Sequence, residues 1–319
     1  MPTLAHISDV HLAPLPMPWP TQLLSKRILG FLNWHMLGRK AYHRRDTLDA
    51  LVAHLHTQTY DHVALTGDIV NLSLPQEFAA SAPWLAKLGR PDDVSVVPGN
   101  HDAYTPVALD KGLGTWATYM RSNAAGAAYV QSLVEEPYTG FPYVRIVGDL
   151  ALIGVASGIP TRPFLAQGTL GDAQRDALED ALRALALREL CTVLMIHHPP
   201  LPAISAPTRD LTDAEELAAL LSRYQIHLAL HGHNHRNELN WGVGPQAPYP
   251  VVGIASASMA VSAHGPLAQY NLYDFERADG GWQVYQRAFA AEAPGGPFAT
   301  TEAERLSPPP ALTEEQAPI

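Results

Sequence analysis

The sequence is poor in cysteine, in charged residues and in long apolar runs. Cys191 is the only cysteine in 319 residues, which excludes a disulfide within the chain and argues against a structural zinc site held by thiolates. The apolar runs are shorter than the ~18 residues that suggest a transmembrane helix. The first residues show no secretory-signal pattern. From these absences we expect a cytoplasmic protein.

Charged residues make up only 16% of the chain, and they leave a net charge of -10 at pH 7. Nucleic-acid binding depends on basic surfaces that release counterions, so we expect no specific nucleic-acid binding. Apolar residues are plentiful at 47%, enough to bury a substantial core. The chain also holds 28 prolines, which imply many loops, and 15 histidines.

Short apolar runs alternate with helical patterns along the chain. Each run ends abruptly in polar or turn residues, which is typical of strands buried on both faces. These runs are residues 3–8, 62–66, 94–97, 151–155, 192–196 and 227–230. Apolar residues spaced at three and four predict helices over 46–57, 76–88, 171–189 and 212–224. The alternation predicts an α/β domain.

Further strands are predicted at residues 251–255, 269–275 and 282–287, which indicate a second sheet and therefore a layered sandwich.

Two stretches interrupt the strand–helix rhythm just after polar clusters, at residues 14–45 and 104–142. We interpret both as insertions that form a cap on a single domain spanning residues 1–289. Residues 290–319 are rich in proline, alanine and glutamate, and we predict a loose C-terminal tail there.

Polar side chains that can bind metals follow five of the predicted strands. They are Asp9, His11, Asp68, Asn100, His101, Asp102, His197, His233 and His235. Ligands of α/β sheets bind beyond the carboxyl ends of the strands, so we expect these side chains to converge. Carboxylate and amide oxygens mixed with imidazole nitrogens suit Mn, Fe, Zn or Co rather than calcium. Two such ions about 3.5–4 Å apart can hold both the attacking and the leaving oxygen of an in-line displacement.

The five blocks read HISDVHL, LTGDIV, VPGNHD, MIHHP and LHGHNH, in this order over roughly residues 3–240. Together they resemble the signature of the calcineurin-like metallophosphoesterases. The resemblance implies a four-layer αββα sandwich with a cap formed by the insertions. It also implies binuclear, metal-dependent hydrolysis of a phosphoester, most simply a phosphodiester, through in-line attack by a metal-bridging hydroxide.

The same resemblance implies a role for each residue. The two metal sites and the bridge between them are assigned to Asp9, His11 and His235, to Asn100, His197 and His233, and to Asp68. His101 would contact the phosphate, where it stabilises charge or protonates the leaving oxygen, and Asp102 would orient His101.

The choice between two adjacent histidines and the role of the histidines outside the motifs follow from simple geometry and from the family pattern. His197 and His198 are adjacent, and only one can face the metals because side chains alternate in direction along a strand. We choose His197, since the ligand of the family directly follows the apolar strand. Most other histidines, His43 among them, are interpreted as surface or satisfied core residues.

The substrate is left open between several classes. The GNHD block and the short loops look closest to bacterial phosphodiesterases, including class III cyclic-nucleotide and glycerophosphodiester enzymes. The alternative is a lipid pyrophosphate hydrolase resembling UDP-2,3-diacylglucosamine hydrolase. A rival of another class is a non-catalytic metal-binding scaffold that kept the fold.

The first insertion motivates the lipid alternative. Residues 21–37 are apolar on most sides and basic residues follow, so residues 21–45 are a candidate for peripheral membrane contact. The other interpretation is a helix packed on the core or in a homodimer interface.

Overall fold

The computed structural model describes residues 1–136, 138–278 and 281–308. In chain order its strands are β1 (Thr3–Ile7), β2 (His62–Leu65), β3 (Val94–Val96), β4 (Tyr143–Val147), β5 (Leu150–Gly154), β6 (Cys191–Met195), β7 (Leu228–His231), β8 (Glu238–Gly242), β9 (Tyr249–Gly253), β10 (Gln269–Ala278), β11 (Gly281–Ala291), β12 (Phe298–Thr300) and β13 (Glu304–Arg305). Its α-helices are α1 (Arg27–Met36), α2 (Arg39–Tyr42), α3 (Arg45–Leu55), α4 (Pro75–Leu88), α5 (Asp172–Leu185) and α6 (Ala214–Leu221).

The strands form two mixed sheets. The first has the order β12-β11-β10-β1-β2-β3, with β13 also paired to β11, and the second has the order β4-β5-β6-β7-β9-β8. Strands β1, β2 and β3 are parallel, as are β5, β6, β7 and β9. The carboxyl ends of the parallel strands within each sheet therefore lie at one edge, which is where ligands of such sheets bind.

Side chains of the second sheet alternate between two apolar clusters. Leu152 and Val193 belong to the cluster shared with β1, β2, β3, α3 and α4. Their neighbours Ile153 and Leu194 belong to the cluster formed with α5 and α6. Because successive side chains of a strand point to opposite faces, α5 and α6 cover one face of the second sheet and the first sheet packs on the other. Both faces of β1 and β2 belong to the first cluster, which also includes α3 and α4. The predicted four-layer αββα sandwich is confirmed.

The first insertion carries α1 and α2. Trp34 of α1 is buried, and it clusters with Leu15, Leu72 and Leu74. None of the helices that the structure describes combines the length and apolar character needed to cross a bilayer.

The second insertion consists largely of loops and short 3-10 turns, and it packs on α4. Trp116 donates a hydrogen bond from Nε1 to Ser81 Oγ at 3.0 Å, and its ring lies 4.8 Å from that of Phe78.

The prediction of a loose tail is wrong for the part of residues 290–319 that the structure describes. Strand β11 continues to Ala291, and both β12 and β13 pair with it. An edge strand presents unpaired N–H and C=O groups, and pairing with the returning chain satisfies them. Residues 309–319 lie outside the described part of the chain.

Candidate metal centre

The seven predicted metal ligands converge at the carboxyl ends of five strands. Asp9 and His11 follow β1, Asp68 follows β2, Asn100 follows β3, His197 follows β6, and His233 and His235 follow β7. All are buried except His235, whose side chain is 20% exposed.

The backbone at this edge adopts an unusual conformation. Five of the seven predicted ligands have a positive φ, between 42° and 68°: Asp9, His11, Asp68, His233 and His235. A non-glycine residue in this left-handed region costs of order 1–3 kcal/mol, and it persists only where the surrounding structure imposes it. Backbone hydrogen bonds supply part of that constraint, from Asp9 N to Gly67 O at 3.0 Å and from His11 N to Asp68 O at 2.8 Å.

One group of ligand atoms forms around His11 and His235. The Nε2 atoms of these two rings lie 3.2 Å apart, and His235 Nε2 lies 3.1 Å from Asp9 Oδ1. Asp68 Oδ2 lies 3.8 Å from His11 Nε2. Two imidazoles and two carboxylates therefore face one small volume, which matches the ligand preference of a transition metal.

A second group forms around Asn100. Its Oδ1 lies 3.1 Å from His197 Nε2 and 2.8 Å from His233 Nδ1. The same Asp68 Oδ2 that faces His11 lies 3.5 Å from His197 Nε2. The other oxygen of Asp68 accepts a hydrogen bond from the backbone N–H of His101 at 2.7 Å, which fixes the carboxylate between the two groups.

Hydrogen bonds to backbone carbonyls set the tautomers of the second group. His197 donates from Nδ1 to Thr66 O at 2.7 Å, and His233 donates from Nε2 to Arg209 O at 2.8 Å. The opposite nitrogen of each ring then faces Asn100 Oδ1. Imidazoles that bind metals are held in this way by a partner on the other nitrogen. The residues present therefore fit a metal pair.

Burial also shifts the charges of the cleft. It holds the pKa of His11 and of His233 well below the usual value, so both rings stay neutral. Burial raises the pKa of Asp68 well above its usual value, and the charge of Asp9 adds to this effect. A bound cation would favour the ionised form of Asp68 and would use the lone pairs of the neutral imidazoles.

Asp102 does not contact the His101 ring, so its predicted orienting role is wrong. His101 instead donates from Nδ1 to Asn71 O at 2.6 Å. The Asp102 carboxylate joins the turn after β2 to the turn after β3. It accepts hydrogen bonds, at 2.8–3.0 Å, from the backbone N–H groups of Asp68, Ile69, Val70 and Gly99.

His198, the neighbour of His197, uses both ring nitrogens elsewhere. Its Nδ1 lies 2.8 Å from Ser157 Oγ, and its Nε2 donates to Ala166 O at 3.1 Å. Of the two adjacent histidines, His197 is the one that faces Asp68 and Asn100.

A cavity of about 560 Å³ opens over the ligand groups. Asp68, Asn100, His101, His233 and His235 form its floor. The first insertion contributes Asn33, Arg39, Tyr42 and His43 to the lining. No described residue of 104–142 lines this cavity, but Tyr104, the first residue of that insertion, stacks on His101 with ring centroids 5.7 Å apart.

Arg39 also lines this cavity, although the sequence indicated only that it belongs to a basic stretch. Its Nη2 lies 3.3 Å from Nε2 of His101 and 3.3 Å from Nε2 of His11. Its Nε is buried without a hydrogen-bond partner. No carboxylate of the described chain lies within 4.0 Å of the guanidinium. A guanidinium in this position is suited to bind an oxyanion.

His43 was interpreted from the sequence as a surface or core residue, yet it lies at the site. Its ring centroid is 4.4 Å from that of His11, and ring nitrogens of His11, His43 and His235 lie within 4.8 Å of one another. Its Nδ1 is 2.9 Å from Ser258 Oγ. No local motif marks His43, because its position depends on how the insertion folds back over the strand ends.

Comparison with known proteins agrees with this geometry. The model of the calcineurin-like phosphoesterase family matches residues 2–237. The glycerophosphodiester phosphodiesterase GpdQ of Enterobacter lignolyticus (strain SCF1) is 25% identical over 235 residues, which cover 73% of this chain and 70% of GpdQ.

Two solved structures share the fold at low sequence identity. A dimetal phosphatase from Danio rerio has a TM-score of 0.60 at 13% identity, with coverage of 94% of this chain and 98% of that one. Purple acid phosphatase PPD1 from yellow lupin (Lupinus luteus) has a TM-score of 0.56 at 11% identity, with coverage of 96% and 53%. Since the family model spans well over half of its length, the chain belongs to the calcineurin-like phosphoesterases.

Proposed function

We propose that this protein is a phosphodiesterase that works with two transition-metal ions, of Mn, Fe, Zn or Co. Asp9, His11 and His235 would hold one ion, Asn100, His197 and His233 the other, and Asp68 both. The observation that carries the proposal is the position of Asp68 Oδ2, 3.8 Å from His11 Nε2 and 3.5 Å from His197 Nε2. Ions bound there would lower the pKa of water and polarise the phosphoryl oxygens.

Arg39 would bind and orient the phosphate. Its Nη2 lies beside both His101 and His11, and no described carboxylate pairs with it. A phosphoryl group on the cavity floor would bring its oxygens to this guanidinium, which would also stabilise charge that develops in the transition state.

His101 would act on the leaving oxygen. Its Nδ1–H is held by Asn71 O, so only Nε2 faces the cavity. Burial, and then the charge of Arg39, hold the pKa of His101 well below its usual value, so Nε2 carries no proton in the free protein. An anionic phosphoryl group offsets the charge of Arg39 and favours protonation of Nε2, which can then donate to the leaving oxygen.

Two observations favour diesters over monoesters. GpdQ, whose name states a phosphodiesterase activity, is 25% identical to this chain over 235 residues. The cavity also extends past the ligand groups to Arg209 and Arg236, two exposed cations at its rim, so there is room and charge for a second ester substituent.

The lipid pyrophosphate hydrolase stays as a second candidate because the first insertion exposes many large apolar side chains. The scaffold alternative is less well supported, since every predicted ligand is present and faces the cleft.

A substrate panel tests the proposal. The metal-stripped protein is reloaded with Mn, Zn or Co and assayed on bis(p-nitrophenyl) phosphate, p-nitrophenyl phosphate, a cyclic nucleotide, a glycerophosphodiester and a nucleotide–lipid pyrophosphate. We expect metal-dependent hydrolysis with a higher kcat/KM for diesters than for the monoester. A preference for the monoester would contradict the diesterase proposal, and no hydrolysis with any metal would favour the scaffold.

A further inference from the structure

The first insertion exposes an unusual concentration of apolar side chains. The described chain has fifteen exposed large hydrophobic residues, and eight of them fall within residues 17–37. They are Met17, Trp19, Leu24, Ile28, Leu29, Leu32, Met36 and Leu37. Scattered exposed hydrophobics are ordinary, whereas a concentration of this kind marks a surface that binds something.

Helix α1 is apolar on two opposite faces. Phe31 and Trp34 point inward and pack with the cluster around Leu72. Ile28, Leu32 and Met36 are spaced by four residues, so they form one stripe along the other side of the helix, and Leu29 adjoins it. These four side chains, which we name the apolar stripe, are between 36% and 74% exposed.

The stripe is carried by a fixed helix rather than by a loose loop. Arg27, at the start of α1, donates from Nε to Leu72 O at 2.9 Å and from Nη2 to Ser73 O at 2.6 Å. Lys26 places its ammonium 4.2 Å from the centre of the Tyr104 ring, which in turn stacks on His101 at 5.7 Å. The start of α1, which carries the stripe, is therefore connected to the catalytic cavity through Lys26 and Tyr104.

The charge around the stripe is of one sign. Residues 17–45 contain six lysines and arginines and no aspartate or glutamate, within a chain whose net charge is -10. Arg44 and Arg45 pair with Asp46 and Asp49 just beyond this segment, while Lys40 stays exposed beside the helix. Two copies meeting stripe to stripe would bring like charges together, whereas an anionic lipid surface complements them.

A second cavity, of about 800 Å³, adjoins the catalytic one, and His43 lines both. Its walls include Ala13, Pro14, Leu15 and Trp34, and its charged lining is Lys40 with the ion pairs Arg44–Asp46 and Arg45–Asp49. A mainly apolar cavity beside a polar phosphate site suits a ligand with an apolar tail and a charged head.

From these observations we propose that residues 17–45 dock on the surface of an anionic lipid bilayer, with the apolar stripe and Trp19 in the interfacial layer. The mode of contact is that of an amphipathic helix lying in the membrane plane. Resting on the proposed function, we further infer that the substrate is an amphiphilic phosphoester whose acyl chain enters the second cavity.

Vesicle co-sedimentation tests the docking independently of catalysis. The full chain is mixed with vesicles of phosphatidylcholine alone or with equal parts of phosphatidylglycerol. The stripe variant carries Ile28→Ser, Leu32→Ser and Met36→Ser, and the matched control carries Val134→Ser, Leu187→Ser and Val243→Ser, also at exposed apolar positions. We expect binding to the anionic vesicles that falls about tenfold or more in the stripe variant and is unchanged in the control.

Three results would overturn the docking proposal. They are no sedimentation with either kind of vesicle, equal binding by the stripe variant and the wild type, and a wild-type dimer in solution that the stripe variant dissociates. The last result would identify a second copy of the chain as the occupant of the stripe.

Rates of hydrolysis of an acylated and a deacylated substrate test the substrate inference separately from membrane docking. With a vesicle-embedded acylated phosphodiester and its deacylated form, we expect the wild type and the control to prefer the acylated substrate. The stripe variant should lose that preference and keep its kcat/KM on bis(p-nitrophenyl) phosphate. A wild type with no preference for the acylated substrate would overturn the substrate inference. Vesicle binding without hydrolysis of any ester would overturn the proposed function and leave the docking proposal standing.

Discussion

The cleft at the strand ends buries polar side chains, whereas the first insertion exposes apolar ones. Both regions reverse the usual distribution of polarity in a folded chain. In the cleft, Asp68 and His197 lie in the interior with their ligand atoms facing one another rather than water. On α1, Leu32 and Met36 are 41% and 74% exposed to solvent. We propose that each region is completed by something outside the chain, by cations in the cleft and by lipid at α1.

The largest expected effect comes from removing the carboxylate that both ligand groups share. We expect Asp68→Ala to lower the metal content below two ions per chain and to reduce kcat/KM on a diester by about 10³-fold or more. Metal analysis after gel filtration and a chromogenic assay measure both effects. Asp110→Asn, an exposed carboxyl outside the site, is the matched control. A variant of Asp68 with near-normal metal content would refute the bridging role.

The next largest effect is expected on kcat when His101, which we propose protonates the leaving oxygen, is replaced. We expect His101→Ala to keep both metals and to lose about 10²-fold or more in kcat, because general acid catalysis contributes that much. Tyr104→Phe, which keeps the ring stacked on His101, should retain most of the rate. Unchanged turnover in His101→Ala would remove His101 from the chemistry.

Asp102→Asn sharpens the comparison between buried groups that bind ligands and those that hold the fold. Its carboxylate accepts four backbone hydrogen bonds, and an amide would leave about two of these N–H groups unsatisfied. We expect the free energy of unfolding, measured with urea on the metal-free protein, to fall by about 3 kcal/mol. A normal stability with an altered pH–rate profile would instead restore the orienting role.

Metal affinity should depend on pH through Asp68. Its raised pKa means that Asp68 keeps its proton to higher pH than an ordinary carboxyl, and a metal must displace that proton. Affinity should then rise by about tenfold per pH unit where one proton is displaced, and fall as pH drops through the raised pKa. Calorimetry in buffers of different ionisation enthalpy measures the proton release. Metal binding that releases no proton would contradict this account.

The smallest effect on the free energy of unfolding is expected from substitutions on the exposed face of α1. Met36→Ala should change the free energy of unfolding by less than about 0.5 kcal/mol, because Met36 is 74% exposed. Trp34→Ala, two residues away and buried, should cost about 3 kcal/mol or more. Denaturation of both variants in the absence of lipid checks the difference. Equal losses would mean that Met36 packs against the protein and that the stripe is not free.

The two-sheet fold and the convergence of the ligands were predictable because each depends on short local patterns. An apolar run ending in Asp9 or in Asn100 specifies a strand and the polar residue at its carboxyl end. Strands β4 and β8 were missed, and both are edge strands of the second sheet with more polar sequences.

Interactions between segments far apart in the sequence were not predictable. Nothing local distinguishes a carboxylate that orients a histidine from one that accepts backbone N–H groups, and this explains the error at Asp102. Arg39 and His43 reach the cavity only because the first insertion folds back over β1, a placement decided by packing of residues such as Trp34. Likewise, the sequence showed that α1 is apolar on most sides but not which side the core leaves uncovered.

The central claim is that Asp68 bridges two metal ions in one cleft. Anomalous diffraction from a Mn-loaded crystal tests it most directly. The account predicts two peaks about 3.5–4 Å apart, one beside His11 and one beside His197, with Asp68 Oδ2 between them. A single peak, or two peaks that do not share Asp68, would contradict it.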